Sequence, residues 1–134
     1  MLLRVSFQGP KTLRATYEFF IARGLMGSEA RLMLALLPGL EVMCADLPVW
    51  GMTSHAHLWL LPASDEKAPH LVLVVPLGSM GYRVGYRKTS TEPSEQVVWI
   101  GLEVATPDAA VERVAMAMHR SGGWNISIPS PPAA

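Results

Sequence analysis

From residue 40 the chain is written in short runs rich in Val, Leu, Ile, Trp and Tyr: LEVMCADL, HAHLWLL, HLVLVV, GYRVGYRK and QVVWIGLEVA. Proline, glycine or small polar residues separate each run from the next. Runs of this kind read as strands. The connections between them are too short for crossovers between parallel neighbours, which take a dozen or more residues, so the pattern predicts an antiparallel meander. HLVLVV is apolar on both faces and predicts a central strand. In VVWIGLEV the set Val98, Ile100, Leu102 and Val104 predicts a core face, and Trp99, Gly101 and Glu103 a face covered only in part.

The remaining segments read as helices. LLRVSF predicts a first strand and QGPK a turn. In TLRATYEFFIARG the residues Leu13, Tyr17, Phe20 and Ile21 recur at helical spacing, with Gly24 available to close the end. SEARLMLALLPG predicts a largely buried helix capped by Ser28 and stopped by Pro38 and Gly39. TPDAAVERVAMAMHRSGG carries a cap at Thr106, a proline at the first turn, Asp108 at the positive helix end and a glycine stop. The expected fold is therefore α+β: a mostly antiparallel, meandering sheet of five or six strands with helices packed on one face. The chain has 134 residues, half of them apolar and 16% charged. That composition suits one folded domain, here residues 1–123, followed by a proline-rich arm over 124–134 that Trp124 anchors.

Composition also narrows function. Basic and acidic residues balance at eleven each, which argues against general nucleic-acid binding, where neutralised phosphates supply much of the affinity. The balance conceals a polarity, since residues 1–39 carry five basic and two acidic side chains and residues 92–134 carry two and five. Polarity of this sort suits docking to another protein or to a second copy of the chain. No apolar run approaches the length of a membrane span, the opening MLLRVSFQGPK is too short for a secretory leader, and one cysteine cannot form an internal disulfide. A cytoplasmic protein with no membrane partner is the expectation.

Three constellations carry chemistry. If LEVMCADL and HAHLWLL formed a hairpin, Cys44 and Asp46 would share a face with His55 and His57, with Asp46 opposite His55 and Cys44 opposite His57. That donor set would suit zinc, or a thiol activated by imidazolium, although it lacks the spacing of a C-x-x-C or H-E-x-x-H site and depends wholly on register. In GYRVGYRK, Tyr82 and Tyr86 fall on one strand face and Arg83 and Arg87 on the other. Trp50, in a Pro-Val-Trp-Gly-Met turn, and Trp124, which opens the arm, are placed as anchors of an interface. No nucleophile elbow, phosphate loop or dinucleotide fingerprint occurs. Glu92, Glu95 and Glu103 are not held as a facing pair, and His70 and His119 stand alone in the sequence.

These features point to a non-catalytic protein-interaction module, such as an inhibitor, immunity-type partner or accessory subunit, with Trp50, Trp124, Tyr82, Tyr86, Arg83 and Arg87 at its interface. Two alternatives belong to other classes. One is a small metal-binding or thiol-dependent enzyme centred on the 44–57 hairpin, and the other is a binder of a small hydrophobic or anionic ligand between sheet and helices.

Overall fold

The computed structural model describes residues 1–89 and 96–126. Glu92, Glu95 and residues 127–134 of the expected arm lie outside them. The strands are β1 (Leu2–Arg4), β2 (Val49–Ser54), β3 (His57–Leu61), β4 (Val72–Pro76), β5 (Tyr82–Tyr86) and β6 (Val98–Trp99), and the helices are α1 (Leu13–Ala22), α2 (Gly27–Met43) and α3 (Pro107–Ser121). The strands form one sheet in sequence order, β1 to β6. Every neighbouring pair is antiparallel except β1 and β2, which run parallel because the two-helix segment between them carries the chain back. The fold is α+β, as expected, with three helices against a mostly antiparallel sheet.

Alternation along the strands divides the sheet cleanly. Val49, Leu58, Leu60, Val72, Val74, Tyr82, Val84 and Tyr86 face the helices, where they meet Met33, Leu36, Leu37 and Leu40 of α2 and Val114, Ala117 and Met118 of α3. The α2 helix touches α1, α3 and β4, which explains a sequence apolar around most of its circumference.

Two expectations about α2 are corrected. Its amino end is Met26, in a left-handed conformation without a side-chain cap, while the Ser28 hydroxyl donates instead to Glu29. At the other end the helix runs through Pro38 to Met43, so LEVMCADL supplies its last turn and is not a strand. Proline in a helix interior costs about 3 kcal/mol. Burying Leu36, Leu37 and Leu40 completely returns roughly 2 kcal/mol each, so the helix continues.

The first hairpin is consequently shifted. Its strands are VWGMTS and HLWLL, joined at His55 and Ala56, with Ser54 opposite His57 and Trp50 opposite Leu61. The expected Pro-Val-Trp-Gly-Met turn thus lies largely within strand β2. Gly51, which reads locally as a turn signal, is a point of close approach: a Cβ there would lie 2.7 Å from Leu13 Cδ1 of α1. The hydroxyl of the buried Tyr17 donates to the Ala56 carbonyl at 3.2 Å and ties the hairpin tip to α1.

The face expected for Val98, Ile100, Leu102 and Val104 also breaks up. Ile100 is buried, but Val98 is half exposed and Leu102 is 80% exposed. The chain turns at Gly101 (φ 62°), and only Val104 returns to bridge Tyr82. The last helix matches its sequence signals throughout, with Thr106 accepting from Ala109 N–H at 3.2 Å and Gly122 (φ 79°) closing it.

Candidate functional site

Register places a row of side chains across the helix-free face of the sheet. Met52 pairs with Trp59, Trp59 with Leu73, Leu73 with Gly85 and Gly85 with Trp99, so one line crosses five strands. Trp59 and Trp99 stand three strand spacings apart, about 14 Å. The middle of the row is a glycine because Trp99 leans into it: a Cβ at Gly85 would be driven into Val97 Cγ1 and lie 2.9 Å from Trp99 Cε3.

Arg83 and Arg87 flank the row. The Arg83 guanidinium carbon lies 4.2 Å from the centroid of the Trp99 ring, and that of Arg87 lies 4.7 Å from the Trp59 ring. Stacking of this kind contributes about 0.5–2 kcal/mol per pair and holds a long side chain in one orientation. The two guanidiniums are therefore flat, partly immobilised and carried on an apolar surface. None of the six strands contains Asp or Glu. Among the described residues Arg87 Nε is buried without a hydrogen-bond partner.

Beside Arg87, His70 meets Trp59 edge to face with ring centroids 5.7 Å apart, and its Nε2 lies 3.2 Å from Met52 Sδ. Burial, reinforced by the Arg87 charge and opposed by a hydrogen bond with the Ala68 backbone, holds His70 below its ordinary pKa. In the unfolded chain it titrates near 6.5. Between that value and the lower folded one the unfolded chain binds the extra proton, so stability is present above the window and is lost as pH falls through it. His70→Gln is expected to remove part of the fall in melting temperature between pH 7 and pH 5. An unchanged slope in the variant would exclude His70 as a source.

The other expected interface residues fall elsewhere. Tyr82 and Tyr86 are buried on the helix side, where the Tyr82 hydroxyl donates to the Leu32 carbonyl at 2.7 Å. Trp124 is buried in the main core, and its indole N–H donates to the Pro48 carbonyl at 2.9 Å. None of these three is open to a partner. Trp50 lies in β2, not in a turn, and packs half-buried against a second cluster of Val5, Leu61 and Ala68 at one end of the helix-free face. The separation of tyrosines from arginines is as the alternation predicts. The aromatic partners of the arginines come instead from β3 and β6, a pairing that only strand order reveals.

The four residues of the expected metal or thiol site are not brought together. Cys44 closes α2 and is buried beside the start of β2, Asp46 is exposed in the following turn, and His55 and His57 are exposed at the hairpin tip. The length of β2, about 16 Å, separates the cysteine from the histidines. Burial pushes the Cys44 thiol up to about 11, leaving it protonated at neutral pH. Among the described residues no group of three or more His, Cys, Asp or Glu could hold a metal ion. Nor is any described helix long and apolar enough to cross a membrane.

Comparisons with protein-family models, with curated proteins and with solved structures give no match for this chain.

Proposed function

We propose that the chain is a non-catalytic protein-interaction module that docks through the helix-free face of its sheet. The observation that carries this reading is the pair of tryptophan-stacked guanidiniums, Arg83 on Trp99 and Arg87 on Trp59, on a face whose strands hold no carboxylate. Flat, pre-oriented arginines match carboxylates bidentately and lose little freedom on binding. The partner is a protein surface that presents carboxylates beside apolar groups. Arg83 lies in β5 and Arg87 follows its last residue, and their guanidiniums lean to opposite sides of that strand, onto β6 and β3, so the acidic groups they meet are separate ones. Met52, Trp50 and the parts of Trp59 and Trp99 left open beside the guanidiniums supply the apolar contact.

Charge favours a different protein over a second copy of this one. A two-fold pairing of identical faces would set four guanidiniums together with no strand carboxylate to receive them. The same stacking argues against single-stranded nucleic acid, since bases need ring faces that the arginines already cover. A cytoplasmic location belongs to this reading and rests on a single buried, unpaired cysteine.

The test is charge reversal on the docking face. The protein recovered gently from the cells that make it is compared with the Arg83→Glu/Arg87→Glu variant. A partner held by the parent should be bound about a hundredfold more weakly by the variant. The melting temperature should fall by only a few degrees, as expected for two lost cation–π contacts. Equal retention by both proteins would contradict the assignment.

A further inference from the structure

The polarity of the first 39 residues has a spatial counterpart. Of the five basic side chains there, Arg4, Lys11, Arg14 and Arg23 gather where β1 and β2 meet α1. Two adjoining hollows of about 300 and 380 Å³ open at this junction, and both are lined by Arg4, Pro10 and Lys11. Arg14 lines the second, where Glu41 is the one acidic residue among the described lining residues. Phe19 and Phe20 form an apolar wall of the first. Lys11 Nζ lies 4.5 Å from the centre of the Phe19 ring and the Arg23 guanidinium 5.1 Å from it.

The walls are fixed by their own hydrogen bonds. The Gln8 amide donates to the Thr53 carbonyl at 2.8 Å and accepts from the Thr53 N–H at 2.9 Å, joining the loop to β2. Arg4 Nη1 donates to the Thr16 hydroxyl, which in turn donates to the Thr12 carbonyl at 2.9 Å. That bond leaves the Nε edge of the guanidinium, and Arg4 Nε is buried without a partner among the described residues. The Nε edge is one that a planar guanidinium uses for a two-point grip on an oxyanion.

We infer that this cleft is an anion site for a small phosphate monoester. Arg4 would grip the phosphate, Lys11 would add charge at the mouth, and the ester group would lie against Phe20, whose ring no cation covers among the described residues. Two cations on the lining and a third at Arg14 suit a dianion better than a carboxylate. The volumes are those of a small-molecule site, at the lower end of the range. This inference is independent of the docking face, which lies on the other side of the sheet.

The test is a titration of the full ¹⁵N-labelled chain with inorganic phosphate, phenyl phosphate and acetate, each against sodium chloride at matched ionic strength. Saturable shifts at the Arg4 Nε–H and the Lys11 and Thr16 amides with both phosphates are expected. Phenyl phosphate should bind more tightly than inorganic phosphate, and Lys11→Ala should weaken it about tenfold. Arg4→Lys keeps the charge without the fork and should weaken it as much. Lys11 is exposed, so its variant tests the site even if changing Arg4 unsettles the fold. Equal binding of acetate would overturn the phosphate assignment. Shifts reproduced by sodium chloride, or linear and spread over all basic residues, would overturn the site.

Discussion

Gly81→Ala is expected to destabilise the protein by roughly 4 kcal/mol, a strained backbone and a displaced strand contact acting together. Gly81 has φ 87° and ψ −127°, a conformation that side chains with a Cβ rarely adopt. A methyl group there would be driven into the Val104 carbonyl oxygen and lie 2.8 Å from Ala105 Cα, against backbone that cannot rotate aside. The same carbonyl accepts from Tyr82 N–H at 2.8 Å, and Tyr82 O accepts from Val104 N–H at 2.9 Å. Both bonds hold the approach to α3 against β5. For a chain of this size the loss corresponds to a fall of about 12 °C or more in melting temperature. A fall of less than about 3 °C would show that the Tyr82–Val104 bridge is not closed as described.

Trp124→Ala is expected to cost about 3–5 kcal/mol, the range for emptying a buried aromatic site, with no role in docking. Trp124 is 7% exposed within the main cluster, and its indole N–H satisfies the Pro48 carbonyl at the entry to β2. Trp124→Phe should recover most of the packing and lose the hydrogen bond, for a net cost of about 1 kcal/mol. A destabilisation of under about 1 kcal/mol for the alanine variant, measured by denaturant unfolding, would place Trp124 outside the core. The contrast with Arg83→Glu/Arg87→Glu matters, because one change should attack the fold and the other the surface.

How far the sequence discloses all this depends on the range of the interaction involved. The last helix is legible because its signals are local: Thr106, Pro107, Asp108 and Gly122 each act within a turn of themselves. GYRVGYRK is legible as a strand because alternation is a property of neighbours, and HLVLVV because a short run of Val and Leu apolar on both faces is equally local. Continuation of α2 through Pro38 is not legible, since the leucines that outweigh the proline do so through burial against elements far along the chain. Once the helix end moves from 37 to 43, Cys44 and Asp46 leave the hairpin and the expected donor set dissolves. Gly51 misleads for a related reason, because a glycine that admits Leu13 of another element looks the same as one that makes a turn.

The docking face follows the same rule. Alternation alone puts Arg83 and Arg87 opposite the tyrosines, and there the local information ends. That Trp59 and Trp99 lie beneath them follows from the order β3-β4-β5-β6, which joins residues 40 positions apart in one row. Trp59 has the parity of an outward side chain, with Leu58 and Leu60 as its apolar neighbours, and this is the signal the sequence carries. Trp50 and Trp124 read as exposed in the sequence because each stands near proline or glycine, and tertiary packing covers one in part and the other almost wholly.

Oxidative footprinting of the tryptophans tests the central claim most directly, comparing the purified chain with the assembly isolated gently from its own cells. The exposed Met80 serves as an internal reference. The account predicts that Trp59 and Trp99 are labelled in the free chain and protected in the assembly, while Trp124 is labelled weakly in both. Equal labelling of Trp59 and Trp99 in the two samples, with protection confined to Phe19 or another residue of the helical side, would contradict it.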